Sequence, residues 1–90
     1  MPVAGITGPP DGYTAARFEL VEFTGYGRDP EEGTLPDSML SWSSSRDGVL
    51  GTGGTLIVDT LSVNSHVITL TATDHHGNSG RDSITVVITP

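Results

Sequence analysis

The chain of 90 residues carries 11 acidic residues, four arginines and no lysine, for a formal net charge of −7. Its length fits one domain with a single core, and the absence of a basic patch argues against binding to nucleic acid or to an anionic membrane surface. The absence of cysteine excludes disulfides and thiol chemistry, and no apolar run is long enough to insert into a membrane.

The first third of the sequence predicts two strands. Residues 3–7 indicate a short edge strand, because the two prolines that follow cannot donate to a β-ladder. Residues 16–27 predict a long strand whose apolar alternation slips near Leu20. A β-bulge would return the apolar set to the core face after such a slip. On this pattern Phe18 and Phe23 are both assigned to the core.

The longest polar connection, RDPEEGTLPD over residues 28–37, is rich in acids. A hard cation such as Ca²⁺ requires several carboxylate oxygens that converge from a loop, and Asp29, Glu31 and Glu32 are the candidates here. A solvated acidic turn explains the same residues without a ligand. The residues alone leave both interpretations open.

Residues 39–45 predict a strand that carries the single tryptophan. Leu40 and Trp42 share one face, and a lone tryptophan on a strand of a small sandwich favours a core anchor over a ligand-stacking platform. Gly25 and Gly27 are predicted to lie beneath this ring. The glycine cluster at 51–54 is typical of a turn, since neither a lysine nor a helix follows it to form a phosphate-binding loop.

The remaining strands are predicted at 55–61, 66–74 and 81–89. In the second of these the alternation is strict, as expected for one face against a core and one in water. The residues assigned inward on that strand are His66, Ile68, Leu70, Ala72 and Asp74. With about seven short strands and no helical segment, the sequence predicts an all-β, immunoglobulin-like sandwich of antiparallel strands.

The segment LSVNSH over residues 61–66 resembles the corner of immunoglobulin-type sandwiches, in which a tyrosine hydroxyl bonds back to the chain a few residues upstream. His66 would replace the tyrosine, and Asn64 would take the left-handed position usually given to glycine. This interpretation makes His66 structural rather than catalytic or metal-binding.

Five strings together resemble bacterial immunoglobulin-like modules related to the PKD (polycystic kidney disease) domain, over nearly the whole chain: PDG at 10–12, DPEEG at 29–33, LSWSS at 40–44, DGVLGTG at 47–53 and HVITLTATD at 66–74. The resemblance implies one domain over residues 1–90, excised from a larger secreted or cell-surface protein. It implies a non-catalytic extracellular module that acts as a spacer or as an interaction and adhesion domain. Its partners would be neighbouring domains of the same chain. Independently, the prolines of the edge strand argue against edge-to-edge pairing, so the isolated domain is expected to be a monomer.

The resemblance also implies a possible ligand, because some PKD-like relatives bind Ca²⁺ at one end of the sandwich. They use an acid in the first long loop and an acid that ends the strand before the final hairpin. Asp29 and Asp74 match these positions, with Glu31 or Glu32 assisting. The match is incomplete, since GPP at 8–10 stands where such relatives often have asparagine, and Arg28 offers Asp29 an internal counter-charge.

Two other function classes have candidate residues in the sequence. A weak carbohydrate-binding accessory module of a secreted hydrolase, or a module with a protein ligand, would need exposed aromatics, and Tyr13 and Tyr26 are left for that role. Catalysis has no candidate beyond Asp74, His75 and His76 at a wet hairpin tip, where adjacent histidines point to different sides. No catalytic or cofactor-binding residue is therefore predicted.

Overall fold

The computed structural model describes residues 2–90 as two β-sheets packed face to face. Among those residues, no helix is long and apolar enough to cross a membrane. The strands are β1 (Val3–Gly8), β2 (Tyr13–Ala16), β3 (Val21–Asp29), β4 (Gly33–Thr34), β5 (Leu40–Ser44), β6 (Gly48–Thr52), β7 (Thr55–Val58), β8 (Asn64–Thr73) and β9 (Ser79–Thr89), with a 3₁₀ turn at Asp37–Met39. The predicted all-β sandwich is confirmed.

In the first sheet β3 is central, with β1 on one side and with β7 and β4 on the other. The second sheet has the order β2-β9-β8-β5-β6. Only β2 and β9 run parallel among the neighbours formed by residues 2–90. The amino-terminal segment therefore contributes β1 to one sheet and, after its prolines, β2 to the other.

The core lies between the sheets and is centred on an aromatic pair. Trp42 and Phe23 are both fully buried, with ring centroids 5.6 Å apart. Nε1 of Trp42 donates to the carbonyl of Gly53 at 2.7 Å, so the buried indole keeps its hydrogen bond. A Cβ at Gly25 would stand 3.2 Å from Cη2 of Trp42, as expected from the sequence, whereas Gly27 faces Leu40 instead.

The alternation predicted for the last two long strands is confirmed. On β8 and just beyond it, the buried residues are His66, Ile68, Leu70, Ala72 and Asp74. On β9 they are Ile84, Val86 and Ile88. These strands pair with each other from Asn64 to Thr73, and β8 also pairs with the tryptophan strand β5, so they form the centre of the second sheet.

The prediction of one bulged strand over residues 16–27 was wrong. The chain leaves β2 at Ala16, turns through residues 17–20 and enters β3 in the other sheet at Val21. Phe18 has a left-handed φ of 68° and is 71% exposed, with the guanidinium of Arg17 4.6 Å from its ring centroid. The slip near Leu20 therefore marks a change of sheet, and Phe18 does not belong to the core.

Candidate functional site

Two predicted ligand residues meet at one end of the sandwich. Asp29 closes β3 and Asp74 follows β8, and each is only 5% exposed. Oδ1 of Asp29 accepts hydrogen bonds from the backbone N–H groups of Glu31 at 2.8 Å and Glu32 at 3.2 Å. The carboxylate thereby folds the acidic loop back onto the end of its own strand, as aspartates do in turns.

Asp74 organises the opposite hairpin in the same way. Its Oδ1 accepts from the backbone N–H groups of His76 at 2.8 Å and Asn78 at 2.9 Å, and its Oδ2 accepts from Nδ2 of Asn78 at 3.3 Å. Burial raises the pKa of Asp74, but these donors together outweigh burial and leave its pKa below the ordinary value. The Asp29 carboxyl contributes a further, smaller lowering of the pKa of Asp74.

A surface pair joins the two loops. The backbone N–H of His75 donates to Oε2 of Glu32 at 3.2 Å, and Nδ1 of the same histidine hydrogen-bonds to Oε1. This contact with His75 lowers the pKa of the Glu32 carboxyl and raises the pKa of the His75 imidazole. The acidic loop and the β8–β9 hairpin are therefore connected through Glu32 and His75.

Three groups at this end have the spacing of metal ligands. Glu32, Asp74 and His76 each offer one ligand atom, and these atoms lie within 4.8 Å of one another. Sequence reasoning missed His76 because it set aside both histidines as pointing to different sides. His75 does turn to Glu32, while His76 lies near Asp74 through the aspartate-x-histidine spacing, which was the available signal.

Two residues of the predicted metal site, Asp29 and Glu31, are not among these three clustered groups. The side chain of Glu31 is exposed and is not among the three clustered ligands. Arg28, considered as a counter-charge for Asp29, points to the outer face of the first sheet and forms no ion pair within residues 2–90.

The corner before β8 is built around a fully buried histidine. Nε2 of His66 lies 2.6 Å from the carbonyl oxygen of Ser62, so this nitrogen carries the hydrogen and donates. Nδ1 then accepts from Oγ of Ser44 at 2.7 Å, while that oxygen accepts the backbone N–H groups of Arg46 and Asp47. Asn64 has a positive φ of 133° at the bend.

These contacts decide what the serine, histidine and aspartate of the corner do. The Asp47 carboxylate is 3.9 Å from Nδ1 of His66, which brings the three residue types of a hydrolytic triad together. Both ring nitrogens are already hydrogen-bonded, however, and the imidazole is 0% exposed. The network ties the β5–β6 turn to the corner and leaves no reactive atom open to a substrate.

No protein-family model and no curated protein matches the chain. Among solved structures, it is similar to the fibronectin(III)-like modules of CbhA from Clostridium thermocellum, with a TM-score of 0.74, 12% identity and coverage of 97% of this chain and 96% of that one. It also resembles an engineered protein, with a TM-score of 0.63 and 18% identity, over 100% of this chain and 20% of the other. The immunoglobulin-like fold is confirmed, whereas the PKD-like relationship stays a prediction.

Proposed function

We propose that the chain is a non-catalytic extracellular module that spaces or docks neighbouring domains of a larger protein. The observation that carries this proposal is the placement of the terminal strands. Strand β1 begins beside Arg28 at the end that holds the two buried aspartates, and β9 finishes opposite Asn64 at the other end. The molecule measures 44 × 20 × 16 Å, so domains attached to these strands would be held apart along its long dimension.

The likeness to the fibronectin(III)-like modules of CbhA supports this role, since it covers nearly all of both chains. Extracellular placement and attachment to neighbouring domains follow from the resemblance to PKD-like modules and belong to the same proposal. The corner histidine adds support of another kind, because the triad-like set that it forms with Ser44 and Asp47 is used for hydrogen bonds within the fold.

The spacer role is tested with a reporter domain fused to each end and the distance between the reporters measured by pulsed electron paramagnetic resonance. We expect one narrow distance distribution, because the sandwich is rigid along its length. The matched control replaces the module with a glycine-serine linker of equal length, which behaves as a flexible coil with a broad distribution. A distribution as broad as that of the linker would reject the spacer role.

A second candidate function, binding of Ca²⁺, is favoured by the Glu32 and Asp74 carboxylates, whose oxygens lie within 4.8 Å of each other. Two carboxylates at this spacing repel each other when both are charged, and a divalent cation would neutralise them. Their oxygens suit a hard cation, whereas Asp29 is not among the clustered groups. The imidazole of His76 suits zinc better than calcium. The calcium proposal therefore depends on the carboxylates of Glu32 and Asp74, and a bound ion would stiffen the end of the module.

Calcium binding predicts a melting temperature that rises in millimolar Ca²⁺ and falls with excess chelator. A ligand at about a hundredfold excess over its dissociation constant adds about 2.7 kcal/mol, which corresponds to several degrees in a domain of this size. Asp74→Asn should abolish the shift, and Glu31→Gln should keep it because that side chain is outside the cluster. An unchanged melting temperature in the parent chain would rule out calcium at these concentrations.

A further inference from the structure

The outer face of the first sheet carries an open groove of about 950 Å³. The groove runs across β1, β3 and β4, and Asp29 is among the residues that line it. Its other lining residues include Val3, Tyr26, Arg28, Pro30 and Thr34. Strand register explains the arrangement, since Val3, Arg28 and Thr34 are successive partners across the three strands and form one row on the sheet.

The tyrosine of the groove is fixed in position by a glycine. Gly5 is the partner of Tyr26 on β1, and a Cβ at Gly5 would stand 2.4 Å from Cζ and 2.6 Å from Cε2 of the ring. The ring thus occupies the space where a side chain at position 5 would stand and rests against β1. Tyr26 is still 43% exposed, so its remaining surface is open to the groove. An aromatic ring held in this way loses little freedom when a ligand stacks on it.

The adjacent cation is free to bind. Within residues 2–90, the Arg28 guanidinium has no ion-pair or hydrogen-bond partner, whereas Arg17 lies over Phe18 and Nε of Arg46 donates to the carbonyl of Ser65. A guanidinium presents a planar fork of donors that matches a carboxylate. Asp29 also lines the groove, but its carboxylate is only 5% exposed and accepts two backbone N–H groups, so the exposed Arg28 guanidinium is the charge that an anionic ligand would meet.

We propose that this groove binds a polysaccharide segment that carries carboxylate groups, with one sugar ring on Tyr26 and a neighbouring carboxylate on Arg28. The C–H groups on one side of a sugar ring meet the negative face of an aromatic ring favourably. The hydroxyl of Thr34 can donate to or accept from a sugar hydroxyl in the same row. The open shape suits an internal stretch of a polymer, because pockets for small molecules enclose most of the ligand.

A proline-rich peptide suits this groove less well. Such peptides bind to grooves lined by aromatic residues, and here a single ring stands beside an arginine. The sugar-binding inference deepens the proposed role as an interaction module and rests on it. Spacing and sugar binding are measured separately, so a failure of one is distinguishable from a failure of the other.

The test is a titration of the ¹⁵N-labelled chain with oligogalacturonate, followed by NMR in the presence of EDTA. The chelator prevents calcium from bridging the acidic sugar to the carboxylates of the nearby loop. We expect chemical-shift changes centred on Gly5, Tyr26, Arg28 and Thr34. Tyr26→Ala and Arg28→Gln should each weaken binding about tenfold, equivalent to about 1.4 kcal/mol. Phe18→Ala and Arg81→Gln are matched controls away from the groove and should leave the affinity unchanged.

Two further measurements separate the roles within the groove. Gly5→Ala removes no group that touches the sugar, yet it should weaken binding because the new Cβ displaces the Tyr26 ring. Added salt should weaken binding of the parent chain and leave that of Arg28→Gln nearly unaffected, since the exposed charge pair is screened.

Equal binding of a neutral cello-oligosaccharide would overturn the role of the carboxylate. Shifts caused only by a polyproline peptide, or by none of these ligands, would overturn the proposal.

Discussion

His66 shows how a single residue can hold two segments distant in sequence. It replaces the hydroxyl of a tyrosine corner with two ring nitrogens, and so bonds both back to Ser62 and across to Ser44. The spacing of the segment predicted the backward bond. It did not predict the bond to Ser44, because that contact depends on how the β5–β6 turn lies against the corner.

We expect His66→Phe to lower the free energy of unfolding by about 2–4 kcal/mol, because it leaves the Ser44 hydroxyl and the Ser62 carbonyl without their partner in a buried site. Urea denaturation measures this change. Val67→Ala is the control, since that neighbouring side chain is 46% exposed and its truncation should change stability by no more than about 0.5 kcal/mol. Equal stability of His66→Phe and the parent chain would contradict a structural role for the histidine.

Asp47 makes the corner sensitive to acid. The backbone N–H of Ser62 donates to its Oδ2, and the Ser62 hydroxyl donates to its Oδ1, both at 2.9 Å. The backbone hydrogen bond is the main cause that holds the pKa of Asp47 below its usual 3.8 in the folded chain. A depressed folded pKa stabilises the fold above the unfolded value, and that contribution is lost as the pH falls through the folded value.

The expected result is that the stability difference between the parent chain and Asp47→Asn is constant near neutral pH and shrinks below about pH 3.8. Denaturation curves collected from pH 6 down to pH 2 measure it, with Asp59→Asn as a control at an exposed aspartate in the following loop. A difference that stays constant over the whole range would show that the Asp47 carboxylate does not stabilise the corner through its charge.

At the level of elements, β3 is shaped by its glycines as much as by its apolar residues. A Cβ at Gly25 would stand 2.6 Å from Cδ2 of Leu70, 2.7 Å from the carbonyl oxygen of Gly5 and 3.2 Å from Trp42. The side chain missing at position 25 lets the largest residue of β5 fill the core. Sequence reasoning identified this pairing because only one bulky residue was available to cover the glycine.

Gly25→Ala should therefore destabilise the fold by about 1–3 kcal/mol through overpacking against Leu70 and Trp42. Glu22→Ala on the outer face of the same strand should change stability by no more than about 0.5 kcal/mol. Thermal and urea unfolding of the two variants measure the comparison. If Gly25→Ala proved as stable as the parent chain, the core would have to be looser around Trp42 than the distances indicate.

The strands differ in how well their sequences predict them. The alternation on β8 is long and strict, so its buried face was predicted residue by residue. The stretch 16–27 has enough apolar residues for one strand, and its break depends on a left-handed Phe18 in a position with no glycine or proline to signal a turn. The alternation of apolar and polar residues therefore predicts a strand whose two faces differ clearly. It does not predict the point at which the chain passes from one sheet to the other.

Across the whole molecule, the sequence predicted the fold class, but it predicted only part of which residues come together at each site. Asp29 and Asp74 were paired on the basis of a family resemblance, since nothing in the chain between them shows that β3 and β8 end at the same place. The groove was even harder to predict from the sequence. Tyr26 was a candidate from its type alone, but its position over Gly5 and its row of neighbours depend on the register of β1, β3 and β4.

The placement of the terminal strands has a mechanical consequence. Because β1 starts at one end of the sandwich and β9 finishes at the other, tension between these ends acts along both strands. Each strand would have to slide past its neighbours, β9 against β8 and also against the parallel β2, so many backbone hydrogen bonds carry the load together. The backbone hydrogen bonds are thus loaded in shear, so that they resist a pull on the two ends together and the sandwich should unfold slowly under it.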